Sequence, residues 1–132
     1  MDTAPLVNEE IDAAATFARE FDRYAPVSVA FWLRKSDEAN RYFYIASDRI
    51  DGNTLDVGYG EVLRLAGELR SPWFDVFLVN LIGIDDPLAR AALELRTRLA
   101  GRPSFRFEGG LFGGVSAEEV YVFPPILNEA VA

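Results

Sequence analysis

The side chains whose types and spacing could do chemistry in this chain are carboxylates. Asp48, Asp51, Asn53 and Asp56 follow one predicted strand, and Asp85 and Asp86 follow another. If those two strands are parallel, both groups fall at one edge of the sheet, where ligand sites gather in open α/β sheets. Oxygen ligands at that edge would suit Mg²⁺ or Ca²⁺, with Asp48, Asp51, Asp56 and Asp85 as the candidates, and paired carboxylates can exchange protons without histidine. A divalent-metal-dependent enzyme is thus one expectation. The plainer one is structural: Asp86 as a helix cap, Asp51-Gly52-Asn53 as turn chemistry, and Asp48 paired with Arg49 or Arg41 on the surface. The plainer reading is preferred; no catalytic residue is assigned and no cofactor is expected.

Composition removes most other chemistry. With no histidine and no cysteine among 132 residues, a Ser-His-Asp or Cys-His nucleophile, a Cys/His zinc site and a thiol-disulfide exchanger all lack their atoms. Short motifs add little. Gly58-Tyr59-Gly60-Glu61-Val62-Leu63 starts like a dinucleotide fingerprint but carries Leu63 at the third glycine position, and reads as the backbone of a helix start. Gly109 to Gly114 offers amides to an anion, yet no Gly-Lys-Ser/Thr follows. Ser116-Ala117-Glu118-Glu119 has the form of a capping box and predicts a short helical turn.

Net charge is −8, from 21 acidic and 13 basic residues, which opposes binding to a phosphate backbone, so no nucleic-acid partner is expected. No apolar run approaches the roughly 20 residues that span a bilayer, so no membrane partner is expected either. Absence of a basic, apolar leader and of cysteine leads to the expectation of a cytoplasmic protein of bacterial type.

The elements that must position these residues follow from periodicity. Residues 1–132 are expected to form a single domain, with loose tails at 1–7 and 126–132. Asn8 is expected to cap a helix reaching Arg23, which Pro26 ends. Val27 to Lys35 and Arg41 to Ser47 alternate as two strands of a hairpin around Ser36 to Asn40. A second helix places Tyr59, Val62, Leu63, Ala66 and Leu69 on one face and stops at Ser71-Pro72. Asp75 to Gly83 is apolar on both sides and predicts a central strand over Val76 to Ile82. Asp86 and Pro87 start a third helix that Gly101 and Pro103 close. Ser104 to Glu108 and Glu119 to Phe123 read as the last strands, before Pro124-Pro125.

The order α-β-β-α-β-α-β-β predicts an α+β fold, a two-layer sandwich with a mixed five-stranded sheet and about three helices. Those helices are expected to cover the face bearing Val27, Val29, Phe31, Leu33, Phe43 and Ile45. The other face would then display Trp32, Arg34, Tyr42, Tyr44 and Tyr121, with Phe123 nearby, as the candidate ligand or interface residues. The expected function is a small binding or interaction protein, using that aromatic face to form a homodimer, to dock another protein, or to hold a small apolar ligand.

Overall fold

The computed structural model describes residues 6–98, 105–107 and 110–125. The fold is α+β, with three helices on a mixed sheet and the expected order of elements. Helix α1 (Asn8–Phe21) leads into the hairpin β1 (Val29–Lys35) and β2 (Tyr42–Ser47). Helix α2 (Leu55–Leu69), a 3-10 turn (Val76–Leu78) and β3 (Val79–Gly83) follow, then α3 (Pro87–Arg98). The chain ends in β4 (Phe105–Phe107), β5 (Gly110–Phe112) and β6 (Val115–Val122). Five strands lie side by side as β3-β2-β1-β6-β4, and the short β5 pairs with the start of β6. Among the described residues only β2 and β3 run parallel, joined through α2; the other pairs are antiparallel.

Register decides which face each side chain joins, because a one-residue shift inverts a whole strand. Trp32 lies opposite Phe43 and Phe31 opposite Tyr44. Phe43 and Ile45 therefore share a face with Ala30 and Trp32, in the cluster under α1 and α2. Val29, Phe31 and Leu33 share the opposite face with Tyr44 and Ala46, in the cluster under α3. This corrects the expected grouping, since Trp32 does not share a face with Tyr42 and Tyr44. It also corrects the placement of the helices: the third lies across the sheet from the other two, so both faces are covered rather than one.

Strand β3 is a second correction. It stands at the edge of the sheet, and the strand between two neighbours on each side is β1. Asp75 explains the shortening. Its Oδ1 accepts from Phe77 N at 2.9 Å and its carbonyl from Leu78 N at 3.0 Å, which winds Val76–Leu78 into the 3-10 turn. The free edge of β3 is blunted where Leu81 N donates to Tyr59 Oη at 3.0 Å. Gly58 allows α2 that close approach, because a Cβ there would sit 2.9 Å from Leu81 Cδ1 and 3.0 Å from Ile50 Cδ1.

Helix limits follow their caps. Val7, rather than Asn8, is the N-cap of α1, with Glu10 Oε1 accepting from Val7 N at 3.1 Å. Leu6 is buried, so the expected loose start does not include it; residues 1–5 and 126–132 lie outside the described residues. On α2 the inward residues are Gly58, Val62 and Leu65, while Leu63 is exposed. The start of α3 is as expected, with Asp86 Oδ1 accepting from Leu88 N at 2.8 Å; Gly101 and Pro103 lie outside the described residues. Ser116 to Glu119 belong to β6 and form no helical turn, because Gly113 and Gly114, both at positive φ, turn the chain straight into a hairpin. Among the described residues no helix is long and apolar enough to cross a membrane.

Candidate functional site

The aromatic residues singled out from sequence are distributed rather than gathered. Trp32 and Tyr121 are cross-strand neighbours on the α1/α2 face, and Arg34 pairs beside them with Glu119. Tyr42 and Tyr44 lie on the α3 face. Trp32 is 3% exposed and Tyr44 is 6% exposed, so neither ring forms an open sheet surface. Alternation within each strand was legible; the mating of the two strands was not, because the turn at Ser36 to Asn40 sets it.

The carboxylates do come to one end of the sheet, since β2 and β3 are parallel and Ser47 lies opposite Gly83. Asp48, Asp51, Asp85 and Asp86 line a shallow depression there, while Asp56 does not. Each of the better-placed groups already has a structural task. Asp51 Oδ1 accepts from Asn53 N at 2.8 Å and Thr54 N at 3.1 Å, and Asp86 caps α3. Asp85 meets Arg90 at 3.3 Å in open solvent. Among the described residues no three acidic side chains come together as a metal ion would need.

A different site emerges where α1, the end of α2 and the β1–β2 turn meet over the sheet. An open groove of about 900 Å³ lies there, lined by Trp32, Arg41, Leu69, Arg70, Trp73 and Phe74 among others. The loop after α2 forms one wall because Phe74 anchors it: its ring stacks on Phe17 at 4.6 Å and meets Phe43 edge-on at 5.8 Å. Trp73, the next residue back, is left 49% exposed on the rim. Trp32 enters from β1, packed on Phe43 at 5.1 Å. Its indole Nε1 is buried and has no hydrogen-bond partner among the described residues. A buried donor without an acceptor costs about 1–3 kcal/mol, and folded proteins rarely leave one so.

The cations of the groove differ sharply. Arg41 is buried, with Nε 2.8 Å from Glu119 Oε1 and Nη1 3.8 Å from Glu10 Oε1, and so ties β6 and α1 to the start of β2. Removing one partner of such a buried pair costs about 3–5 kcal/mol, which marks Arg41 as architecture. Arg70 is the C-cap of α2 at φ 48° and ψ 41°, the left-handed region where glycine normally ends a helix. It is the only non-glycine residue at positive φ among the described residues. Its Nε donates to Gly67 O at 3.1 Å, and it makes no ion pair among the described residues.

The signals for this groove in the sequence were the Arg70-Ser71-Pro72-Trp73-Phe74 stretch, an aromatic pair just after a helix stop. Comparison with protein-family models, with curated proteins and with solved structures finds no match to this chain.

Proposed function

We propose that this protein binds a small, partly aromatic molecule in the groove between α1 and the end of α2. The observation that carries the reading is the concavity of about 900 Å³ itself, with the Trp32 and Phe74 rings in its wall and the half-exposed Trp73 on its rim. That volume lies in the range of small-molecule sites, and the lining has their character, apolar and aromatic walls with a few polar groups.

The chain has two tryptophans, Trp32 and Trp73, so its NMR spectrum carries two indole N–H signals and Trp32→Phe assigns them. Titration with a set of small aromatic fragments is expected to shift the Trp32 signal, and Ala13→Phe, which narrows the groove from α1, is expected to suppress the shift. Fragments that leave the Trp32 signal in place overturn the reading.

Self-association is the second reading, favoured by one observation. Phe77 is 83% exposed and Trp73, four residues before it, is half-exposed, and large aromatic side chains supply much contact area with few rotatable bonds. A second copy would cover these rings rather than extend the sheet, because Tyr59 already occupies a hydrogen-bonding position on the edge of β3.

A further inference from the structure

We infer that Ile126 and Leu127 of this chain seat as a strap in a second groove, on the flank of α1 turned away from the first. Glu10 and Ala13 line the first groove; Ile11, Ala15 and Arg19, spaced by one helical turn each, line the second, an open depression of about 300 Å³. Tyr121 and Phe123 form its other wall, their rings meeting edge-on at 5.0 Å. Apart from the Arg19 guanidinium and the Tyr121 hydroxyl the lining is apolar, and Ile11, Ala15 and Tyr121 are only half-buried among the described residues. Aliphatic side chains laid across them take apolar surface out of water, the main favourable term in such a contact.

The place where the described chain ends names the occupant. Pro124 and Pro125 line this depression themselves, and the sequence continues with Ile126-Leu127, two large apolar residues, before the polar Asn128 and Glu129. Direction follows from the neighbours. Leu6, just before α1, donates its N–H to Glu119 Oε2 at 3.5 Å, and Ser28, after α1, bonds to Ala46 O, while Phe123 N bonds to Ala30 O. Helix α1 and strand β6 thus run the same way along the sheet, Pro125 stands near Arg19, and the strap doubles back along α1 towards Ile11. The reach is sufficient: four extended residues span about 13 Å, and the eight helical steps from Ile11 to Arg19 cover about 12 Å. A segment tethered this closely faces its site at an effective concentration on the order of millimolar, which favours it over a separate partner. A depression of this volume also lies at the small end of ligand sites.

The chain contains no cysteine, so Asn128→Cys carries a single nitroxide label. The amide signals of Ile11, Ala15 and Tyr121 are expected to broaden strongly, and those of Ala89 and Ala92, in α3 on the opposite face of the sheet, far less. Leu127→Asp in the labelled protein is expected to abolish this contrast with the circular dichroism unchanged. Broadening as strong at Ala89 as at Ala15, or a contrast that survives Leu127→Asp, overturns the strap. Mixing labelled protein with unlabelled, isotope-enriched protein separates the remaining occupants. Broadening of Ala15 in the unlabelled molecules gives the groove to a second copy and overturns the intrachain strap; broadening confined to the molecules that carry the label supports it.

Discussion

Tyr44 shows how much a single position owes to its surroundings. Its ring lies parallel to Phe31 at 5.0 Å within the cluster under α3. Burial pushes its phenol above the ordinary 10.0; the nearby charges of Glu38 and Asp86 add to this, and a hydrogen bond with the Asn80 side chain works against it. A pKa raised by folding means that the folded state holds the proton more tightly, so this contribution is complete below about pH 10 and is lost as pH rises through the higher folded value. Thermal unfolding followed between pH 9 and 12 should therefore show an alkaline decline that is smaller in Tyr44→Phe. The same variant should be about 1 kcal/mol less stable at neutral pH through loss of the Asn80 bond. An unchanged alkaline decline in the variant would assign it to other groups.

At the scale of elements, the sheet separates two positions that look alike in sequence. Ile45 on β2 is fully buried between β1 and β3, and an aspartate there would place a charge without a partner in the core at a cost of several kcal/mol, comparable with the whole margin of a typical domain. Leu78 belongs to the 3-10 turn before β3, is only half-buried, and lines the open groove. Ile45→Asp is expected to abolish folding, whereas Leu78→Asp should fold with a reduced melting temperature. Circular dichroism on both decides it: an unfolded Leu78→Asp protein would return Val76–Leu78 to the core. The run from Val76 to Ile82, apolar except at Asn80, did predict a strand, but not its place. A run of this length reads the same at the edge as at the centre, and Asp75 removes its first three residues from the strand by capping the turn.

At the scale of the whole molecule, the exposed rings of Trp73 and Phe77 bear on whether the protein meets a second copy. The self-association reading predicts that sedimentation equilibrium shows a concentration-dependent increase in mass, lost in Phe77→Ser with the circular dichroism unchanged. A wild type that remains monomeric at high concentration overturns it and leaves the rings to the groove's ligand. The two readings draw on the same short segment, because Trp73 lines the groove rim and lies four residues before Phe77.

By itself the sequence determined what is local. The alternation of Val29 to Leu33, the Asp86-Pro87 helix start and the Ser71-Pro72 stop are set by side-chain direction, cap hydrogen bonds and the proline ring, all of which act within a few residues. The order of elements, and with it the α+β class, followed. It also placed the loop aspartates at one end of the sheet, on the condition that β2 and β3 were parallel. Tertiary structure decided what depends on pairing across distance: the Trp32–Phe43 register that sends Trp32 and Tyr44 to opposite faces, the edge position of β3, and the crossing of α3 to the far side of the sheet. Strand alternation is blind to a shift of one residue in the partner, and a helix stripe does not say which face of the sheet will receive it. The groove at Trp32 belongs to that second kind, being made of residues from α1, β1, α2 and the following loop that only packing brings together.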